Sequence, residues 1–188
     1  MTGSPPHARP RLAGGDPDAR APGGASIVEV GPDDWPGVEK SIFAIERESF
    51  PPSIRERNET LRREALSPSS VVLAARPRGE DGVVGYLLAD KLEKYARVPG
   101  VKADPAFGRG DTLYITSVAV DPAWRGRGLG GALHRRALAW ARRHGFKRAA
   151  AHLRQGAAGK LRVDHRVLDT FKDWYGTGET YDYVVFEL

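Results

Sequence analysis

The sequence predicts an α/β domain with a mixed sheet, and three observations lead to that prediction. The nearly uncharged run from Leu113 to Val120 is typical of a strand that is buried on both faces. A helical pattern follows this run, and the apolar segment 146–153 follows the helix, so a right-handed crossover makes the two strands parallel. Two more β-rich runs, at 71–75 and 83–89, flank a polar turn and predict an antiparallel hairpin.

Residues 1–25 are predicted to form a disordered N-terminal extension. They are rich in Pro, Gly, Ala and Arg and contain almost no aliphatic side chains, so they cannot bury enough surface to offset the entropy lost on ordering. The folded domain is therefore expected to cover 26–188.

The domain is expected to open with a short strand and two helices. The strand covers 27–30, and the turn 31–34 supplies an N-cap for the first helix. An apolar stripe identifies that helix, and Pro51-Pro52 ends it. Ser53 is expected to cap a second helix that runs through 61–66. The members of the stripe are Trp35, Val38, Ile42 and Ile45.

The segment 91–110 is charged and contains several Pro and Gly residues, so it is expected to be an exposed loop. It either contacts a substrate at the mouth of a cleft or is an ordinary surface insertion, and both interpretations stay open.

The central strand is predicted to end at Val120, because Pro122 cannot donate to a sheet and disfavours helical geometry in Asp121. The next helix presents one apolar face and stops at Gly145. After the strand at 146–153, a short helix is expected around 161–168. A terminal hairpin is expected to pair 171–175 with 180–188.

Composition limits the function classes. The chain has 188 residues and no cysteine, which removes disulfides, thiolate metal sites and a cysteine nucleophile. No apolar segment approaches the roughly 18 residues of a membrane span, and the N-terminus lacks a signal-peptide core, so a cytoplasmic protein without a membrane partner is expected. Four of the five histidines, His134, His144, His152 and His165, show no metal-ligand spacing, so no metal site is predicted.

The turn between the central strand and its helix is a predicted anion site. The first N–H groups of a helix lack internal partners and lie at the positive end of its dipole, and glycine lets a phosphate approach the backbone. Two cations add to this effect, and a pyrophosphate is the ligand size that fits. The turn reads Arg125, Gly126, Arg127, Gly128, Leu129, Gly130 and Gly131.

This turn, placed directly after Val118-Ala119-Val120-Asp121-Pro122, resembles the motif of the GNAT superfamily of acyl-CoA N-acyltransferases. The resemblance implies a mostly antiparallel sheet flanked by helices, with two central parallel strands splayed apart. It implies that acetyl-CoA is the co-substrate, with its pyrophosphate on the amides of the turn. Its pantetheine arm is then expected to lie along the backbone of Val118, Ala119 and Val120.

Three other interpretations of the turn and its charge stay open. Gly126, Gly128 and Gly131 also fit a dinucleotide fingerprint, but five residues separate Val120 from Gly126 and no acidic residue lies between Asp121 and Asp164. A helix start that uses glycine only for close packing also fits. The net charge of +5 is compatible with nucleic acid, although a solvated helix face explains it better.

The chemistry expected from the resemblance is direct attack of an amine on the thioester in a ternary complex. No cysteine is present, and no serine lies in a nucleophile elbow, so an acyl-enzyme is not expected. Asp111 or Glu48 is the expected proton acceptor, although a strand-start cap and a solvated helix end explain them as well. The sequence lacks the asparagine and the Tyr-Gly-Phe of the family, so Tyr175 is the nearest candidate for the acid that protonates the leaving thiolate.

The predicted function is therefore an N-acetyltransferase that moves an acetyl group from acetyl-CoA to a primary amine. A non-catalytic acyl-CoA-binding module is the first alternative, and a basic nucleic-acid-binding module is a less favoured one. A homodimer is compatible with the sequence. The acceptor stays open among a protein N-terminus, lysine, a polyamine, an antibiotic and a small metabolite.

Overall fold

The structure is a computed structural model that describes residues 20–79 and 82–188. Eight strands form one sheet, and the four α-helices of the described residues lie on its two faces. In chain order the elements are β1 Arg20–Ala21, β2 Ala25–Glu29, α1 Trp35–Ser49, α2 Asn58–Ala65, β3 Val71–Pro77, β4 Gly85–Lys91, β5 Thr112–Val120, α3 Leu129–Arg143, β6 Arg148–Arg154, α4 Ala157–Lys160, β7 Arg166–Phe171 and β8 Tyr181–Glu187.

The sheet has the order β1-β2-β3-β4-β5-β6-β8-β7. Every neighbouring pair is antiparallel except β5 and β6, which run parallel. The parallel ladder joins Thr112–Ile115 to Arg148–Ala151 and goes no further, so the two strands diverge beyond Ile115. The predicted mixed fold with splayed central strands is confirmed.

Successive side chains of the central strands point to opposite faces of the sheet, and they form a hydrophobic core on each face. Leu73 and Leu87 point to the face covered by α3, where they join Leu133 in one buried cluster. Val72 and Leu88 point to the opposite face, where α1 and α2 cover them. Because both faces are buried, these strands read as continuous apolar runs instead of alternating ones.

The second helix begins later than predicted. Ser53 does not cap it; Arg57 precedes Asn58, and residues 51–55 form a turn. The Arg55 guanidinium donates to the carbonyl of Arg47 at 2.8 Å and to that of Phe50 at 2.9 Å. Arg55 thereby satisfies carbonyl groups at the end of α1. These hydrogen bonds fix residues 51–55 as a non-helical connection between α1 and α2.

The prediction of a helix around 161–168 is wrong. A single turn, α4, ends at Lys160, and Arg162 has a φ of 53°, which interrupts a helix. Residues Arg166–Phe171 instead pair with β8 as the edge strand β7. The terminal hairpin exists, but its first strand ends at Phe171, where the prediction had it begin.

The segment 91–110 is more compact than an exposed loop. It contains two short 3₁₀ helices, and Leu92 and Val101 are buried against Tyr114 and Tyr183. Asp104 anchors it, with Arg148 Nη1 at 2.9 Å from Oδ1 and Tyr183 donating to Oδ2 at 2.8 Å. Burial alone raises the pKa of this carboxyl, but these hydrogen bonds and that of the Ala106 amide outweigh burial and lower the pKa below its usual value.

Asp104→Asn should lower the free energy of unfolding by about 3 kcal/mol, because it leaves the buried guanidinium of Arg148 without its main partner. For a chain of this length that corresponds to a melting temperature lower by roughly 6 to 12 °C. The stability lost in the variant should be largest at a pH above the ordinary carboxyl pKa. It should shrink as the pH falls through the lowered pKa of Asp104, because the native carboxyl is then protonated as well. Thermal melts measure it, with Asp33→Asn on the exposed turn before α1 as the control; equal melting of both variants would refute the anchor.

The folded part begins before the predicted boundary at residue 26. Arg20–Ala21 pairs with Ala25–Ser26, and Ala25 is fully buried. The remainder of the predicted extension, residues 1–19, lies outside the described residues.

Candidate active site

The glycine-rich turn ends in the left-handed residue Gly128, with a φ of 79°, immediately before α3. Ala132 donates the first hydrogen bond of this helix, to the carbonyl of Gly128 at 3.1 Å. The N–H groups of Leu129, Gly130 and Gly131 therefore have no partner within the helix and form the predicted anion site at its positive end.

The two arginines of the turn contact protein groups. Arg125 donates through Nε to the carbonyl of Val120 at 3.0 Å and through Nη2 to Ser49 Oγ at 3.0 Å. The Arg127 guanidinium lies 4.5 Å from the centre of the Trp124 ring and donates to the carbonyl of Ala123 at 3.4 Å. Both side chains stabilise the turn through these contacts, and their charge still adds to its positive potential.

A cavity of about 410 Å³ starts at this turn and follows the gap between β5 and β6. Gly130 and Gly131 line one end of it. The other end lies between the α1–α2 connector, at Phe50 and Ile54, and the β7–β8 turn, at Trp174. The divergence of the two strands thus creates a passage with two differently built ends.

The β5 wall of the cavity is the predicted cofactor strand. Val118 and Val120 line the cavity, whereas Ala119 points away from it into the cluster beneath α1 and α2. Since β6 pairs with β5 only up to Ile115, the later backbone groups on this edge have no partner in β6. An extended ligand can use them as a strand would.

Glu46 lies on the cavity wall and is only 2% exposed. Its Oε1 accepts from the Glu56 amide at 2.8 Å, and its Oε2 accepts from the Tyr86 hydroxyl and from Ser117 Oγ, the latter at 3.4 Å. Burial raises the pKa of the Glu46 carboxyl, and these hydrogen bonds oppose the shift. A buried carboxylate with a raised pKa beside the open strand edge is suited to accept a proton.

More negative charge lies near the same end of the cavity. Glu56 also lines the cavity, and burial raises its pKa. Glu64, on α2, has its pKa raised to about 7 by burial and by the charge of Glu56. These carboxylates favour a positively charged ligand over an anionic one at this end.

An aromatic stack forms the opposite wall. His152 lies between Trp174, at a centroid distance of 4.4 Å, and Tyr183, at 4.8 Å, and Tyr181 stacks on Trp174 at 5.4 Å. The Tyr114 hydroxyl lies 2.8 Å from His152 Nδ1. Burial lowers the pKa of His152 to about 4, so the imidazole is neutral at physiological pH.

His134 also lines the cavity, on the second turn of α3. Its Nδ1 lies 3.0 Å from the carbonyl of Gly130, which fixes the imidazole against the start of the helix. Burial lowers its pKa, so it is neutral as well.

The sequence-predicted catalytic residues are not brought together. Glu48 is exposed and does not line the cavity. Asp111 lies at the other end of β5, roughly 23 Å along the strand from Val118 at about 3.3 Å per residue. Tyr175 is 50% exposed on the β7–β8 turn, with its pKa raised by partial burial and by Glu56.

Glu46 is not among the proton acceptors predicted from the sequence, although the sequence carries a signal for it. It follows Ile42 by four residues and Val38 by eight, so it lies on the apolar stripe of α1. A carboxylate on the buried face of a helix needs dedicated partners and is a stronger functional signal than the exposed Glu48 two residues on.

Within the described residues, no group of three or more His, Cys, Asp or Glu side chains is placed to hold a metal ion. None of the helices formed by residues 20–79 and 82–188 has the length and apolar content needed to cross a membrane.

The fold is similar to that of several solved structures, including two that are named as acetyltransferases. NAA60 of Arabidopsis thaliana in complex with acetyl-CoA matches with a TM-score of 0.66 and 21% identity, over 87% of this chain and 98% of that one. A GCN5-related N-acetyltransferase of Kribbella flavida matches with a TM-score of 0.62 and 21% identity, over 88% and 98%. The ribosomal-protein-S18-alanine N-acetyltransferase of Escherichia coli matches with a TM-score of 0.63 and 15% identity, over 87% and 93%.

No curated protein matches the sequence. The model of the acetyltransferase (GNAT) family, however, matches residues 39–160, which is more than half of the chain and includes the glycine-rich turn and Glu46. The chain therefore belongs to the GNAT family of acetyltransferases.

Proposed function

We propose that the protein transfers the acetyl group of acetyl-CoA to a primary amine by direct attack, with Glu46 as the general base. The observation that carries this proposal is the buried Glu46 carboxylate on the wall of a cavity that begins at the α3 amides. The cavity thus joins a predicted anion site to a proton acceptor along one open strand edge.

The α3 start fits the pyrophosphate of acetyl-CoA for the reasons given above. Three free N–H groups and the positive end of a helix of 15 residues face the ligand, and Gly130 and Gly131, which line the cavity, keep the approach clear of side chains. The pantetheine arm then follows the free edge of β5 at Val118 and Val120. This places the thioester near Ser117 and Glu46, where an amide of β5 near Val118 stabilises the oxyanion.

The ammonium of the acceptor must lose two protons in this reaction, and the leaving thiolate must gain one. The carboxylates of Glu46 and Glu56 attract the ammonium, and it loses its first proton to Glu46. The neutral amine attacks the thioester carbon, so a C–N bond forms, the C–S bond breaks, and the nitrogen releases its second proton to solvent as the amide forms. The departing thiolate takes up a proton, for which Tyr175 stays the predicted donor.

Release of free thiol from acetyl-CoA in the presence of an amine panel tests the proposal. Butylamine, 1,4-diaminobutane and 4-aminobutanoate have the same chain length and differ in charge at the far end. We expect turnover with the first two and weak turnover with 4-aminobutanoate, because its carboxylate meets Glu56 and Glu64. Binding of acetyl-CoA without turnover of any amine would favour the non-catalytic module.

Tyr175→Phe should lower turnover about 10²-fold or more if this phenol protonates the thiolate, because general acid help of this kind contributes at least that much. Calorimetry should show acetyl-CoA affinity unchanged, since Tyr175 does not line the cavity. Tyr181→Phe on the same hairpin is the comparison, because it removes the hydroxyl of a phenol that lines the cavity. Unchanged turnover in Tyr175→Phe would remove this residue from the mechanism.

A further inference from the structure

The N-terminal strap, residues 20–25, connects the edge of the sheet to the glycine-rich turn. Its first two residues pair with Ala25–Ser26, and Ala25 stands opposite Pro77 of β3. The Arg78 amide donates to the carbonyl of Gly24 at 3.0 Å. The strap is therefore fixed to the sheet on one side.

On its other side the strap packs on the glycine-rich turn. A Cβ placed on Gly23 would lie 2.9 Å from Cβ and 3.1 Å from Cδ of Arg127. A Cβ placed on Gly128 would lie 3.6 Å from Cβ and Cγ of Pro22. Gly23 thus leaves room for the stem of Arg127, and Pro22 faces the residue that precedes α3.

Arg127 is held from two directions as a consequence. The strap packs against its aliphatic stem, and Trp124 lies under its guanidinium at 4.5 Å. Its neighbour Gly128 is the left-handed residue that sets the direction of the first α3 amides. A displacement of Arg127 therefore moves the donors of the predicted anion site.

We propose that the N-terminal strap is a positioning element of the acetyl-CoA site, which acts through Arg127 and Gly128 and does not touch the reacting atoms. The proposal rests on the proposed function of the turn as the pyrophosphate site. It assigns a role in co-substrate affinity to residues that precede the segment matched by the family model.

Two neighbouring glycines of the strap provide a matched pair for the test. Gly23 and Gly24 both have left-handed backbones, with φ of 75° and 79°, so alanine strains both alike. Only Gly23 faces Arg127, whereas nothing lies within 4 Å of a Cβ on Gly24. A carbon at 2.9 Å must move away by at least about 0.5 Å to reach ordinary contact. If this shift costs one charge-assisted hydrogen bond to the pyrophosphate, the affinity falls about 10-fold to 100-fold.

The expected result is that Gly23→Ala weakens acetyl-CoA binding in calorimetry at least tenfold more than Gly24→Ala does, while both variants stay folded at the temperature of the measurement. With S-acetylpantetheine, which lacks the pyrophosphate, both variants should match the unchanged chain in turnover. A KM for acetyl-CoA raised only in Gly23→Ala, at constant kcat, completes the pattern.

Equal affinities of the two variants would overturn the proposal, as would equal losses with acetyl-CoA and S-acetylpantetheine. If Gly23→Ala does not fold, Pro22→Gly serves in its place, because it removes the ring that faces Gly128; unchanged affinity in this variant overturns the proposal too. Failure of the proposed function looks different, since the unchanged chain then transfers no acetyl group from either donor.

Discussion

Glu46→Gln is expected to lower turnover about 10²-fold to 10⁴-fold, because the variant loses the general base. Acetyl-CoA affinity should stay as it is, since Glu46 lies at the acceptor end of the cavity, away from the α3 amides. The fold should tolerate the change. The glutamine oxygen can accept from the Glu56 amide, and its NH₂ group can donate to the hydroxyls of Tyr86 and Ser117.

Glu48→Gln is the matched control, because it makes the same change on the same helix at an exposed position outside the cavity. It should leave both turnover and affinity unchanged. Steady-state kinetics with butylamine and calorimetry with acetyl-CoA measure the two quantities. Full activity in Glu46→Gln would exclude the base assignment, and a large loss in Glu48→Gln would restore the residue predicted from the sequence.

The pH profile gives a second readout of the same residue. Glu46 must be deprotonated to act as a base, and burial raises its pKa, so kcat/KM should fall as the pH is lowered through a value above the ordinary pKa of glutamate. This acid limb should be absent from the residual activity of Glu46→Gln. An unchanged limb in the variant would assign the titration to another group, with Glu64 as the next candidate because its pKa is raised to about 7.

The unit from the central strand to α3 was predictable because its signals are local. The apolar run, Pro122 and the glycines each restrict the backbone of their own neighbours, and the structure places the strand at Thr112–Val120 and the helix at Leu129–Arg143. The predicted anion site rests on the same residues. No distant contact is needed to predict it.

The features that were predicted wrongly depend on contacts between distant residues. Residues 166–171 form a strand because β8 offers them an edge, which a helical pattern at 161–168 does not reveal. Asp111 is close to the strand in sequence but lies at the wrong end of it. Glu46 becomes a base candidate only when Ser117 and Tyr86, which are 71 and 40 residues away, close around it.

Gly128→Glu is expected to nearly abolish acetyl-CoA binding. The residue directly precedes the first α3 amides, so a carboxylate on it brings a negative charge next to the anion position and opposes the phosphate charge. The loss of several charge-assisted hydrogen bonds, at about 1.5 to 3 kcal/mol each, is enough to bring micromolar binding into the millimolar range. Calorimetry with acetyl-CoA measures the loss directly.

Backbone strain must be separated from this electrostatic effect, because any side chain at a φ of 79° is disfavoured. Gly79→Glu is the matched control, since Gly79 has a φ of 77° on the exposed β3–β4 turn and nothing lies within 4 Å of a Cβ there. Gly128→Ala adds the same strain at the site without the charge, and a smaller loss is expected for it than for glutamate. Equal affinity of Gly128→Glu and Gly79→Glu would exclude the turn as the pyrophosphate site, whereas equal losses in Gly128→Ala and Gly128→Glu would show that backbone geometry, and not charge, governs binding.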